Sequence, residues 1–268
     1  MTAFETQIAE SALLIVGHGR FGSEASTRLI KEHTKSIKER NLFKEVYCGF
    51  LKHSPLLTDQ LSIIKSEIIY VVPCFASPGS LTKSIIPREL GLSDHNPNHK
   101  KQIVRYGEPV GNHPVIIDRM CELVLNTLNM SKFPKKDTTL IVIGHGSVNN
   151  PQSAIDTKFV AEEIQRRNIL NTVITLFLDQ EPNLIDWANH SQTTNVIILN
   201  FFFSGGSHET EDIPKCLGLE PTKFEERLSN NQPMGTIFSA NRRLWFCPLI
   251  SADQIIPDII IERVREMI

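Results

Sequence analysis

The chain contains one pattern twice. Shifted by 127 positions, residues 13–92 fall on 140–219 without a gap, and 24 of the 80 aligned pairs are identical. LLIVGHG (13–19) meets LIVIGHG (140–146), FLKHSP (50–55) meets FLDQEP (177–182), and PGSLTKSIIPRELGL (78–92) meets GGSHETEDIPKCLGL (205–219). A period this long repeats a whole folding unit, so any fold read for one half must serve the other. The mismatches inform as much as the matches. His18, Ser54 and Leu81 in the first copy face His145, Glu181 and His208 in the second. One copy keeps a full set of polar ligands; the other lacks two of three.

At 268 residues the chain is long enough for two such units. The expected boundaries are a first copy at 1–130, a polar, proline-containing linker SKFPKKDTT at 131–139, and a second copy at 140–268. Hydrophobic residues at 41% and charged residues at 22% are ordinary for a globular protein. A net charge of −2 gives nucleic acid or an anionic membrane no general attraction, so an anionic ligand must find local cations. The opening MTAFETQIAE lacks the basic and apolar regions of a secretion signal, and no run approaches the ~18 apolar residues of a membrane span. The cysteines (Cys48, Cys74, Cys121, Cys216, Cys247) are scattered without C-x-x-C spacing, which disfavours a disulfide framework, an iron–sulfur cluster and a structural zinc. The expectation is a soluble, cytoplasmic protein, monomeric or homodimeric.

Each copy alternates short apolar runs with helical patterns. ALLIVGHG reads as a buried parallel strand entering a glycine turn. Residues 24–40 and 151–167 read as helices, with Ile155, Phe159, Ala161 and Ile164 at helical spacing. KEVYCGFL and NTVITLFL are second strands, followed by helices in PLLTDQLSIIKS and PNLIDWANHSQ. IIYVVPCF and NVIILNFFF are third strands, each leading through a Gly/Ser turn to a short helix. IVRYGEPV and RLWFCPLI close the strands, with final helices in HPVIIDRMCELVLNTL and IIPDIIIERVREMI. The second copy carries about twelve extra residues before its last strand. The order βαβαβαβα predicts an α/β fold: two duplicated domains, each a small open parallel sheet with helices on both faces. Ligands in such folds bind outside the carboxyl ends of the strands, where His145, Glu181 and His208 all fall.

Each of these residues alone has a plain structural reading. His145 in GHGS and His208 in SGGSHETEDIP are turn histidines, and Glu181 in DQEP is an acid favoured at a helix start. Together, two imidazoles and a carboxylate after three successive strands form a site for a borderline divalent metal with open positions. His18 survives in the first copy, where the turn itself accounts for it. An arginine-histidine-glycine phosphatase turn is disfavoured by Val16-Gly17 and Ile143-Gly144 before the histidines, since a phosphoryl group needs an adjacent arginine clamp.

GHGS near a strand end, FLxxxEP some thirty-five residues on, then FFxxGGSHxxxDIP resembles the class II tetrapyrrole chelatases, and within them the sirohydrochlorin cobaltochelatase/ferrochelatase group. YGEPVGNHP in the first copy is similar to that family's fourth-strand ending. The resemblance spans nearly the whole chain in two copies. It implies two chelatase-like domains and ATP-independent insertion of Co²⁺ or Fe²⁺ into sirohydrochlorin, on the way to cobalamin or siroheme. Ni²⁺ suits the same ligands, and no cofactor is implied beyond the substrate metal. By position, His145 and His208 match the metal-binding, proton-accepting histidines, and Glu181 the accessory carboxylate. Metalation removes two pyrrole protons while the ion loses water, a task suited to neutral imidazoles with unperturbed pKa near ~6.5.

The ring also needs an apolar wall and local positive charge. Phe201, Phe202 and Phe203 are candidates for the wall, with alternate members given to the core. Ser147, Gly205, Gly206 and Ser207, next to the two histidines in sequence, are further candidates to bind the substrate. Arg20 and Lys83 of the first copy, and Arg242 and Arg243 beyond the insertion, are candidates to meet the substrate's carboxylates, with the first copy as the opposing wall. The non-catalytic alternative is a tetrapyrrole- or metal-binding protein descended from a chelatase.

Overall fold

A computed structural model describes residues 3–92, 102–148, 151–203, 208–221, 224 and 233–268. After a short helix α1 (Ala3–Ile8), the first half runs β1 (Ala12–Gly17), α2 (Ala25–Glu39), β2 (Glu45–Phe50), α3 (Leu57–Ile63), β3 (Ile68–Pro73), α4 (Ile86–Glu89) and β4 (Ile103–Tyr106). A wide π-turn, Leu81–Ile85, leads into α4. Next come α5 (Pro114–Ser131), β5 (Thr138–Gly144), α6 (Gln152–Arg166), β6 (Thr172–Phe177), α7 (Trp187–His190), β7 (Asn195–Asn200) and α8 (Ile213–Cys216). A second π-turn, His208–Asp212, precedes α8, and the chain ends with β8 (Met234–Ser239), β9 (Arg242–Phe246) and α9 (Ile256–Arg265). The 127-residue shift carries α2 onto α6, β2 onto β6, β3 onto β7, α4 onto α8 and one π-turn onto the other, bound for bound.

The first sheet is parallel throughout, in the order β2-β1-β3-β4. β1 is buried at every position, the signature of a strand covered on both faces. Leu14 and Val16 turn toward Leu57 and Leu61 of α3, Ile86 of α4 and Leu90 at its end. Leu13 and Ile15, also fully buried, point to the opposite face because side chains alternate along a strand. Each such aliphatic side chain contributes about 1.5–3 kcal/mol by leaving water.

The second sheet runs β6-β5-β7-β9-β8 and is parallel except for β8, which pairs antiparallel with β9. The strands of the repeat pair in parallel as expected, and β8 is an antiparallel addition at the edge. The extra residues before β9 build an added edge strand, reversed through Ala240 and Asn241 at φ of 47° and 60°. Two consecutive positive φ values mark the tight turn whose twist matches a hairpin.

The chain forms two compact units, and each takes in a segment from the other sequence repeat. One comprises Met1–Asn112 and Gln254–Ile268, with Phe203–Gly206; the other comprises His113–Phe202 and Ser207–Asp253. Each half thus gives its closing helix to the other's unit. In the first unit, Arg263 of α9 is buried and donates to the Pro109 carbonyl at 3.2 and 2.9 Å, and also to the Asn112 side chain. In the second, Asp118 and Arg119 of α5 pair with Arg167 and Asp253 at 2.6 and 2.7 Å. The 131–139 segment therefore lies inside the second unit. Its composition reflects an exposed turn joining α5 to β5, anchored by buried Phe133 and Thr138.

Candidate functional site

The second unit brings His145 and His208 together at the carboxyl edge of its sheet. Their rings meet edge-to-face with centroids 4.9 Å apart. His145 follows β5 between two glycines that cannot be replaced freely. A Cβ on Gly144 would stand 2.2 Å from the Thr157 hydroxyl oxygen, and Gly146 holds φ +73° with the Gln180 side chain 2.5 Å from a notional Cβ. Gln180 in turn accepts the Ser147 N–H at 2.8 Å. His208 opens the π-turn after β7.

Both imidazoles are oriented through the same nitrogen. His208 Nδ1 lies 2.8 Å from Asp212 Oδ2, and His145 Nδ1 lies 3.0 Å from the Gly146 carbonyl and 3.3 Å from Asp179 Oδ2. Carbonyls and carboxylates only accept, so in each neutral ring Nδ1 carries the hydrogen and Nε2 keeps its lone pair. A carboxylate behind a histidine fixes its tautomer and orientation. Phe202 lies against both rings, with centroids 6.4 Å from His145 and 5.9 Å from His208. The histidine side chains remain 44% and 35% exposed, enough for an ion or ring to reach them.

Asp179 and Asp212 have no place in the sequence reading. The signal that exposes Glu181 was available for both: at the 127 shift, Lys52 stands opposite Asp179 and Ile85 opposite Asp212.

Other expected residues fall differently. The exposed Glu181 accepts the Asn183 N–H at 3.0 Å, a local turn-capping role. Among the described residues no three His, Cys, Asp or Glu side chains form a metal-holding group, so the histidines stand as a pair. Phe201, Phe202 and Phe203 follow β7 and are all buried, and Phe202 lies against the two histidine rings. Arg242 and Arg243 start β9, pairing beside Asn195 at the amino end of β7, opposite the histidine edge. Arg242 lies over Trp187 and donates to the Ala188 carbonyl, while Arg243 lies over Phe133; they do not line the site. Gly205, Gly206 and Ser207 lie outside the described residues. Arg20 and Lys83 belong to the first unit and are exposed there.

The thiols take no part. Burial pushes Cys74 and Cys247, each just past a strand end, up to about 12. A groove of about 670 Å³ between α6 and β6, lined by Lys158, Glu162, Arg166 and His190, includes neither site histidine.

The CbiX family model matches residues 12–127 and again 139–267. The chain belongs to the CbiX family. A protein of Halobacterium salinarum named a probable sirohydrochlorin cobaltochelatase is 27% identical over 272 residues, covering 95% of this chain and 91% of its own. A sirohydrochlorin cobaltochelatase of Methanocaldococcus jannaschii is 38% identical over 91 residues, 32% of this chain and 62% of its own. Among solved structures, a multi-domain protein of Deinococcus radiodurans described as similar to chelatases has a TM-score of 0.71 at 21% identity. It covers 96% of this CbiX-family chain, which spans 55% of that protein. A CbiX of denitrifying bacteria, described as the terminal enzyme of siroheme biosynthesis, has a TM-score of 0.69 at 20% identity, covering 96% of this chain and 99% of its own. These structures share the fold. Among the described residues no helix is long and apolar enough to cross a membrane.

Proposed function

We propose that this CbiX-family chain inserts a divalent metal, Co²⁺ or Fe²⁺, into sirohydrochlorin without ATP, serving cobalamin or siroheme synthesis. The observation that carries the reading is the His145–His208 pair, 4.9 Å between centroids, with each Nδ1 committed to an acceptor. The relatives' names support it.

The two Nε2 lone pairs hold the incoming ion loosely, which lets it pass on to four pyrrole nitrogens; thiolates would retain it. Two pyrrole N–H protons leave as the metal–nitrogen bonds form, so one M²⁺ replaces two H⁺ and charge balances. The vacated Nε2 atoms accept those protons, and Asp179 and Asp212 stabilise the resulting imidazolium ions. Glu181 supplies a further carboxylate at the same edge once it leaves the Asn183 amide.

The decisive experiment follows sirohydrochlorin spectrally with Co²⁺, Fe²⁺ or Ni²⁺, with and without protein. Acceleration with at least one metal is expected, and equal rates for all three would sink the reading. Within it, Asp212→Asn should weaken Co²⁺ binding by about tenfold, the low end for losing a carboxylate behind a ligating histidine. Its insertion rate should fall with it, with unchanged circular dichroism. Undiminished Co²⁺ affinity would remove Asp212 from the site.

A further inference from the structure

The helices α2 and α6 hold the same place in the repeat, yet they present different faces to water. Their bounds, Ala25–Glu39 and Gln152–Arg166, coincide under the 127 shift. The outward stripe of α2, at positions i, i+4, i+7 and i+11, reads Arg28, Glu32, Lys35 and Glu39. All four are exposed, and they close as Arg28–Glu32 at 3.0 Å and Lys35–Glu39 at 3.9 Å. Lys31, beside the stripe, reaches Glu24 at 3.0 Å. Such a ladder of ion pairs is a surface at home in solvent.

The same stripe of α6 reads Ile155, Phe159, Glu162 and Arg166. The apolar spacing along this helix therefore divides: Ala161 and Ile164 are buried, whereas Ile155 is 53% and Phe159 51% exposed. Where α2 has its first ion pair, α6 holds two large apolar side chains one turn apart. Lys158 and Glu162 are also exposed, and among the described residues neither has an ion-pair partner. Arg166 turns to Glu163. Lys158 and Glu162 both line the groove of about 670 Å³ beside β6, so they lie toward the same flank of the helix.

We infer that this face of α6 is where two copies of the chain meet, their α6 helices antiparallel about a twofold axis. The face is complementary to itself, as a twofold contact requires. Lys158 and Glu162 carry opposite charges one turn apart on one flank, and the axis sets Lys158 of each copy against the partner's Glu162. That pairing puts the axis at position 160, midway between them and one residue from the middle of the helix. The two helices then overlap along nearly their whole length, with opposed dipoles. The two Phe159 side chains come within two residues, about 3 Å, of each other along the helix direction and meet across the axis. Ile155 extends the apolar contact at either end.

The same operation on α2 would fail. It would set Lys31 against Lys35 and bring Glu32 beside the partner's Glu32. Like charges face to face cost free energy, so the repeat itself confines the contact to the second unit.

Sedimentation of the full chain over a concentration series measures the association, and a concentration-dependent dimer is expected. Ile155→Arg/Phe159→Glu writes the α2 ion pair onto α6, at positions where the other half already carries it. This variant should dimerise at least tenfold more weakly with unchanged circular dichroism. Lys158→Glu and Glu162→Lys should each weaken the dimer about tenfold, because each sets like charges against each other. Mixing these two variants restores opposite charges on both sides of the axis and should recover association as a heterodimer. A wild-type chain still monomeric at about 100 μM would overturn the proposal. So would a dimer that survives Ile155→Arg/Phe159→Glu, or a mixture that associates no better than its components. None of these readouts involves metal insertion, so this contact and the function proposed above fail separately.

Discussion

Replacing His208 with leucine should lower metal insertion by about 100-fold or more, with the folded state intact. The magnitude follows from the loss of a positioned proton acceptor, typically 10²–10⁴-fold, together with one of two ligands for the ion. The fold itself supplies the control. Leucine is what the first unit carries at the equivalent position, Leu81, in a π-turn of the same length. The backbone therefore accommodates that side chain, and lost activity cannot be assigned to a collapsed turn. His145→Ala should produce a comparable loss, and the two together should cost little more than either alone, since the residues act as a unit. The assay is the spectral insertion rate with Co²⁺ and Fe²⁺. Activity within twofold of wild type in His208→Leu would remove the histidine pair from the mechanism.

Arg263→Met should destabilise the protein by about 3 kcal/mol, the scale of losing charge-assisted hydrogen bonds to a carbonyl that stays buried. Arg263 is 6% exposed, and its guanidinium satisfies the Pro109 carbonyl twice, the Asn112 side chain, and Glu266 at 2.7 Å. Methionine fills much of the volume but leaves the buried Pro109 oxygen without its donors, whereas the exposed Asn112 side chain can turn to water. The partly exposed Glu266 adds little, because water screens it. Urea denaturation is the measurement, with the midpoint expected to fall while His208-dependent chemistry persists below it. A loss under about 1 kcal/mol would mean the cluster does not hold α9 in place.

The strands were legible because parallel strands buried on both faces must be continuous apolar runs, and ALLIVG and NVIILN could be little else. The repeat then carried each assignment from one half to the other. β8 was hidden because MGTIFS sits among polar residues and its return depends on Ala240, which gives no warning of a positive φ. The helix exchange was invisible for a different reason. HPVIID and IIPDII both start helices with proline in the first turn and an apolar face behind it, and exchanging them between like sheets leaves every local signal unchanged.

The site was half legible. A histidine standing opposite a leucine in the chain's own repeat marks His208, and the same comparison marks Glu181, which accepts the Asn183 N–H. What separates Asp212 from Glu181 is the π-turn. It places a residue four positions on against the His208 ring, and no residue pattern announces that geometry.

The exchanged helices set an order of assembly. Every residue of the second unit has been joined to the chain once Asp253 is added, whereas the first unit, begun earlier, waits for Gln254–Ile268. Synthesis and completion therefore run in opposite order, and an unfinished chain carries its first sheet with one face still bare until the last residues arrive. A cut at 131–139, where the repeat suggests two genes could be separated, yields two fragments, neither of which holds a whole unit.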